Sequence, residues 1–258
     1  MKILFIIDET PFFHPDYLDK VIKNLKNDEI LVGITKNIPR KSNLNFQLLK
    51  KSFLLEFDEI LSLILKKISY TLLNLIFPKG TRKKNFSVEG VCKKRNIEYF
   101  FIKKNINKNK YIQCIRDFKP KIVLSSNSLY FSKKILKLNS LFVNRHSSLL
   151  PKYKGLFPVI HAILNKEKNV GVTLHIMTEK YDSGDVLLQR KIKFNKEKNL
   201  FKLYKKCFEV SVVLTLELVR LFKEKSLRKQ KKKDIKNYFS FPSKKEIKKF
   251  KSLGWKFA

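Results

Sequence analysis

Short apolar, β-branched runs alternate with stretches of helical periodicity through the first two thirds of the chain. The runs fall at 3–7, 30–35, 98–102, 121–125 and 141–144, with helical patterns at 16–26, 110–118 and 132–138 between them. Strands that read as unbroken apolar runs, joined by crossovers of a dozen or more residues, predict a parallel sheet covered by helices on both faces. Ligands in such sheets sit at the carboxyl ends of the strands, which marks 8–10, 125–127 and 144–146 as candidate site positions. From Gly171 the pattern becomes strict alternation, Val172, Leu174 and Ile176 against Thr173, His175 and Met177, followed by a turn at 181–184 and a second alternating run over 186–194. This is a strand, loop, strand unit appended to the parallel portion. Residues 200–225 then read as one long helix.

Residues 45–77 are the least expected part. Leu54, Leu55, Phe57, Ile60, Leu61, Ile64, Leu65, Ile68, Leu72, Leu73 and Leu75 recur at helical spacing, which predicts one or two amphipathic helices packed on the sheet or on a partner subunit. The alternative is a helix lying on a membrane surface, with Lys50, Lys51, Lys66 and Lys67 toward lipid headgroups. Charges at Glu56, Asp58, Glu59, Lys66 and Lys67 keep 53–77 well short of the ~20 apolar residues that a spanning helix needs. At the start of the chain Asp8 and Glu9 end the apolar run after five residues, so 1–7 reads as a buried strand and not as a signal peptide.

Of the 258 residues 43% are hydrophobic, enough for one large core or two small ones, which excludes general disorder. Lys+Arg 57 against Asp+Glu 22 gives a formal net charge of +35. Such a charge suggests nucleic acid, yet Phe is abundant at 22 while Gly 7, Trp 1 and Met 2 are scarce. That profile is what a compositionally biased coding sequence gives, so the charge alone carries little functional weight. Its densest block, 223–236, has eight bases against two acids and reads as a solvated linker. Cys92, Cys114 and Cys207 lie far apart in no metal-binding spacing, which predicts buried thiols in a reducing compartment, a cytoplasmic location and no metal site.

In 141–155 (LFVNRHSSLLPKYKG) Asn144 and His146 are two apart at a strand end and face the same side. An amide donor beside an imidazole can polarise a carbonyl and hold the oxyanion formed by nucleophilic attack, and the imidazole can move protons near neutral pH. This segment is followed by 158–163 (PVIHAI), 171–177 (GVTLHIM) and 181–189 (YDSGDVLLQ). Together they resemble the formyltransferase domain that uses 10-formyltetrahydrofolate, whose members show N-x-H-x-S-L-L-P-x-Y-R-G, G-V-T-x-H-x-M and D-x-G-D/P in this order and at about this spacing. The resemblance implies that Asn144, His146 and Asp182 are catalytic, in an acyl transfer without a covalent enzyme intermediate. Protonated His146 and Asn144 would hold the oxyanion, and Asp182 would orient the imidazole and raise its pKa. It further implies that the donor lies near Ser126, Asn127 and Leu129, with Tyr181, Ser183, Gly184 and Asp185 closing over its ring. Asn127 stands about where the family commonly has Gly, and Asn tolerates left-handed backbone angles well. Ser147, Lys154 and Gly155 are the expected acceptor contacts; Lys154 replaces the family's Arg and keeps charge without the planar fork. His161 is expected to be a packing residue.

The resemblance covers about 1–195, with 45–84 as a helical insertion, and leaves 196–258 as a C-terminal helix, basic linker and tail. The expected fold is α/β, a Rossmann-like, mostly parallel twisted sheet with helices on both faces. The segment 8–15 (DETPFFHP) lacks the Gly- and Ser-rich phosphate loop of glycinamide ribonucleotide formyltransferases, and 237–258 is short beside the C-terminal domain of methionyl-tRNA formyltransferases. The expectation is therefore an N-formyltransferase acting on a small anionic amine acceptor, most simply a nucleotide-linked amino sugar, whose site a mobile tail shapes. Two alternatives stay open: a minimal methionyl-tRNA formyltransferase whose basic linker grips phosphates, and an inactive binding protein that keeps the fold. The expected partner is a small-molecule amine. Nucleic acid is not required, and the apolar face of 45–77 leaves a homodimer or a peripheral membrane contact open.

Overall fold

The computed structural model describes residues 1–36, 57–81, 84–194, 196–231, 235 and 237–257, with the backbone alone over 57–63. The strands are β1 Lys2–Asp8, β2 Glu29–Thr35, β3 Glu98–Ile102, β4 Ile122–Ser126, β5 Leu141–His146, β6 Lys154–Gly155, β7 Asn169–Ile176, β8 Val186–Lys193 and β9 Tyr238–Phe239. The helices are α1 His14–Asn24, α2 Phe57–Ile76, α3 Val88–Arg95, α4 Asn109–Phe118, α5 Lys133–Leu136, α6 Pro158–Leu164, α7 Leu200–Lys223 and α8 Lys244–Ser252. Seven strands form one sheet in the order β3-β2-β1-β4-β5-β7-β8, while β6 and β9 pair separately. β1 to β5 are mutually parallel, whereas β7 runs antiparallel to β5 and β8 antiparallel to β7. This is the Rossmann-like architecture expected from the pattern, and β5 runs on two residues past its predicted end to include His146.

Alternation along β1 sets the layers. Ile3, Phe5 and Ile7 face a core completed by Leu18 and Val21 of α1, Val91 of α3, Val159 of α6 and Leu203, Leu214 and Leu218 of α7. Leu4 and Ile6 face a smaller core with Ile112 and Ile115 of α4 and Ile135 of α5. Helix starts are written in the sequence: Ser87 accepts from Gly90 N, Asn199 accepts from Lys202 N, and Ser243 with Glu246 forms a capping box.

Two expectations change. The described part of the periodic segment forms the helix α2, but Ile64, Leu65, Ile68, Leu72 and Leu75 are exposed and do not pack on the sheet. Its anchoring runs through Tyr70, edge-on to Phe12 at 5.6 Å and to Phe86 at 5.7 Å. Residues 45–56, including Lys50 and Lys51, lie outside the described residues. Among the described residues no helix is long and apolar enough to cross a membrane. The tail, expected to be mobile, is docked: β9 pairs with β6, and Phe250 and Trp255 are buried in the larger core. Three buried apolar positions, Ile247, Phe250 and Trp255, anchor an otherwise basic and exposed segment.

Candidate active site

β5 is the strand at which the sheet changes from parallel to antiparallel pairing. Its register with β7 sets Asn144 opposite His175 and His146 opposite Thr173. Cross-strand partners share a face, as do residues two apart on one strand, so all four side chains belong to one side of the sheet while Arg145 belongs to the other. The loop after β7 then returns Asp182 over this group, in a left-handed conformation at φ 52°.

Asp182 is the hub. Its Oδ2 accepts from Gly155 N at 2.8 Å, and its Oδ1 lies 3.7 Å from His146 Nδ1, 3.6 Å from His175 Nε2 and 3.4 Å from Asn144 Nδ2. The contact at 2.9 Å between His146 Nε2 and the Tyr153 carbonyl fixes the tautomer, because a carbonyl only accepts: Nε2 carries the proton and Nδ1 is bare in the neutral ring. His175 is arranged in the reverse sense, with Nδ1 donating to the Ile176 carbonyl at 2.9 Å and Nε2 accepting from Asn144 Nδ2 at 3.3 Å. Asn144 Oδ1 is buried without a hydrogen-bond partner.

The electrostatics correct one expectation. Burial, the dominant influence, carries His146 below the ordinary histidine value, with the field of Asp182 opposing it only in part. The resting imidazole is therefore neutral and not the pre-formed cation expected from the nearby carboxylate. Burial also works against ionisation of Asp182, but the charge that His146 and His175 carry once protonated in acid, together with the Gly155 N–H, outweighs it and holds the carboxyl well below its usual range.

Two cavities meet here. A narrow one of about 110 Å³ is lined by Leu129, Tyr130, Phe131, Met177 and Tyr181, with Asn144, His146, His175 and Asp182 in its wall. A wider one of about 510 Å³ lies over the ends of β1 and β4, lined by Thr10, Phe12, Phe13, His14, Ser126, Tyr204 and Phe208. Asn127, Ser128, Arg145, His146, Gly155 and Leu156 line both.

The structure brings Asn144, His146 and Asp182 together and spreads the other predicted residues. Leu129 and Tyr181 line the narrow cavity, but Ser126 lines the wide one, where its hydroxyl meets His14 Nε2 at 3.0 Å. Asn127 has no positive φ. Its side chain instead ties the loop together, donating to the Ile6 carbonyl at 2.8 Å and accepting from Leu129 N at 2.8 Å. Ser183, Gly184 and Asp185 build the turn without lining either cavity: Ser183 Oγ donates to the Tyr181 carbonyl, the Asp185 carbonyl accepts from Ile176 N, and a Cβ on Gly184 would overlap the Ile176 carbonyl. Lys154 is buried and reaches the Ile235 carbonyl at 3.2 Å, away from the site. Gly155 contributes its N–H to Asp182, and Ser147 accepts from Arg145 Nη2 at 2.7 Å. His161 stacks on Phe239 at 4.4 Å as a packing residue.

Sequence reasoning gave no role to His175, Arg145 or His14. His175 had a legible signal, its place in the 171–177 strand that carries the G-V-T-x-H-x-M pattern. The other two had none, because only the packing of α7 and α1 over the strand ends makes them neighbours. His14, held by Thr10 Oγ1 at 2.6 Å, is driven down to about 3 by burial and by the charge of Arg145, and so is neutral.

Among proteins of known type, a 158-residue segment is 37% identical to the bifunctional polymyxin resistance protein ArnA of Wigglesworthia glossinidia brevipalpis, covering 57% of this chain and 23% of that protein. A 95-residue segment is 40% identical to the methionyl-tRNA formyltransferase of Halothermothrix orenii, covering 36% of this chain and 30% of that one. The chain thus spans well under half the length of both relatives. The N-formyltransferase from Helicobacter canadensis, solved in complex with folinic acid and dTDP-3-aminofucose, superposes with a TM-score of 0.56 at 19% identity over 93% of this chain and 71% of that one. The formyl transferase family model matches residues 77–219, from just after α2 to one turn before the end of α7. That match takes in more than half of the chain and every member of the Asp182 cluster, and the chain belongs to the formyl transferase family.

Proposed function

We propose that this chain moves a formyl group from 10-formyltetrahydrofolate to the primary amine of a small anionic acceptor, a nucleotide-linked amino sugar. The observation that carries this reading is the position of His146 in the wall shared by two cavities, with Asn144 and Asp182 against it. Two substrates that exchange a group must meet at one polar centre from opposite sides, and the narrow cavity offers Leu129, Phe131 and Met177 as apolar surface for a ring. The wide, aromatic cavity at the ends of β1 and β4 is the acceptor side.

The donor supplies an activated formyl group, and the chain's own residues do the rest. Tyr153 holds the His146 proton on Nε2, so bare Nδ1 takes the proton that the amine sheds on attack. The imidazolium then forms 3.7 Å from ionised Asp182, which stabilises it at the moment it appears, and as the tetrahedral adduct collapses and the bond from the formyl carbon to N10 breaks, Nδ1 returns that proton to N10 of the departing folate. Asn144 Oδ1 accepts an N–H of the incoming amine; a buried acceptor left without such a partner costs about 1–3 kcal/mol, so the site favours a ligand that provides one. Asn144 Nδ2, held only at 3.3 and 3.4 Å, is within a small movement of donating to the formyl oxygen as charge builds there. The Helicobacter canadensis complex supports both substrate classes, since its folate and its amino-sugar nucleotide bind to the same fold.

The test is incubation with 10-formyltetrahydrofolate and a panel of amino-sugar nucleotides, with mass spectrometry of the products. Formylated sugar nucleotide, and loss of turnover in His146→Ala with the fold retained, are the expected results. Formylation of charged methionyl-tRNA alone, with a steep salt dependence, would overturn the acceptor, and donor hydrolysis without transfer would overturn the reaction.

A further inference from the structure

The wide cavity is lined by a cation, Arg145, for which no carboxylate of the described residues is a counter-ion. Arg145 Nε donates to Ser211 Oγ and Nη2 donates to Ser147 Oγ, both at 2.7 Å, and the guanidinium carbon lies 3.8 Å from the Phe208 ring centroid. These bonds engage two of its five N–H groups. Among the described residues no carboxylate lies within ion-pair distance of it. The ionisable groups that bear on it are Cys207, Tyr17 and Tyr204, all neutral near pH 7. Asp8 is the acid in the lining of this cavity, and it accepts from the Thr35 hydroxyl. His14 beside it is neutral.

A guanidinium kept only to pack a strand against a helix is normally matched by an acid, because a charge taken from water without a partner is costly. Here the residue lines both cavities, next in sequence to His146 and Asn144, and is pinned by two hydroxyls and an aromatic face with part of its fork unengaged. Such an arrangement fixes the position of the charge without neutralising it, which is the design of an anion receptor.

We propose that Arg145 is the specificity residue of the acceptor cavity, taking an oxyanion of the acceptor, phosphoryl or carboxylate, and thereby setting the position of its amine against Asn144 and His146. Phe208 backs the guanidinium, and Phe12, Phe13 and Tyr204 supply an apolar wall for the uncharged part of the same molecule. Acceptors without an oxyanion near the amine are discriminated against because they leave the cation uncompensated.

The kinetic part of the test rests on the formyl transfer proposed above, whereas the binding part does not. Wild type, Arg145→Gln and Arg145→Lys are compared on an amino-sugar nucleotide and on the neutral methyl glycoside of the same amino sugar. Arg145→Gln is expected to raise the KM of the nucleotide about 10- to 100-fold, the scale of a lost charge-assisted hydrogen bond. That loss should exceed the loss on the glycoside at least tenfold and the change in donor KM by a similar margin, with Arg145→Lys recovering part of it. Equal losses on both acceptors would show a merely structural residue and overturn the proposal. In parallel, uridine diphosphate, inorganic pyrophosphate and glucuronate are titrated calorimetrically into the folate-free protein. Binding of the phosphates or of glucuronate to wild type, weakened in Arg145→Gln, upholds the proposal even if no acceptor is ever formylated, and the better ligand identifies the oxyanion. Failure of wild type to bind any of the three, or equal binding by both proteins, overturns it. If Arg145→Gln does not fold, Arg145→Lys carries the comparison, since it keeps the charge and loses the fork.

Discussion

Replacing Asp182 with Asn isolates the part of catalysis that depends on a carboxylate facing a newly formed imidazolium. The substitution keeps an oxygen for the Gly155 N–H, so the loop retains its anchor at 2.8 Å. What it removes is the attraction between Oδ1 and Nδ1 at 3.7 Å, worth about 4.5 kcal/mol at an effective dielectric constant of about 20. Half of the proton transferred in the transition state realises about half of that energy. The expected fall in kcat therefore lies between about 45-fold and about 2,000-fold. The new amide can also donate to bare Nδ1 and block the lone pair that has to take the proton, which moves the result toward the larger figure. The acid limb of the kcat/KM profile should move to lower pH, because His146 loses the group that favours its charged form, while the plateau falls. Asp182 is held below its unfolded acidity, so its ionised form stabilises the fold at neutral pH and stops doing so as the pH falls through its folded value. The gap between wild type and Asp182→Asn in urea should accordingly be widest at neutral pH and close in acid. A loss of less than fivefold, or a limb that moves upward, would refute the assignment of His146 as base and Asp182 as its counter-ion.

Other outcomes follow from the same geometry. In wild type the acid limb of kcat/KM should lie below pH 6.5, since burial lowers the His146 pKa from that value and the proposed mechanism uses the neutral ring; a limb above it would mean that the cation is the working form. His175→Ala removes the acceptor that orients Asn144 Nδ2 and should cost up to about 10²-fold in kcat through misplacement, with donor and acceptor KM values less affected. Gly155→Ala places a Cβ on a residue at φ +96° and against the Phe239 carbonyl, so about 1–2 kcal/mol of backbone strain adds to the overlap. It should show a lower urea midpoint and more than a tenfold loss of kcat; wild-type kcat would sever Gly155 from the site. Phe250→Ala empties a fully buried position in α8 and should destabilise by about 3–5 kcal/mol in denaturant titration.

The strands were readable because a parallel sheet buried on both faces leaves runs such as 3–7 and 30–35 with few polar residues. Asn144 and His146 were readable as a pair because two residues of one strand share a face whatever surrounds them. Asp182 entered through the resemblance, since nothing local in a Tyr-Asp-Ser-Gly turn shows where the loop returns. His175 became a partner of Asn144 only through the antiparallel register of β7, a long-range fact. The charge state of His146 escaped the sequence for a similar reason: the nearby carboxylate was foreseeable, whereas the depth of burial that outweighs it is a property of the assembled core. Asn127, expected to serve its loop through left-handed backbone angles, serves it through amide hydrogen bonds instead.

The pairing of β6 with β9 joins Gly155 to Phe239, residues far apart in the chain, and Gly155 is the residue whose N–H holds Asp182. A molecule in which this ladder has opened keeps its seven-stranded sheet and both cores on the β1 faces, yet it has lost an anchor of the Asp182 carboxylate. Foldedness and competence are thus two different quantities in this protein. A circular dichroism spectrum reports the first and is blind to the second, and an assay of turnover does the reverse. Hydrogen exchange at the Gly155 and Leu156 amides, whose acceptors are Asp182 and Phe239, would read the fraction of molecules that are both.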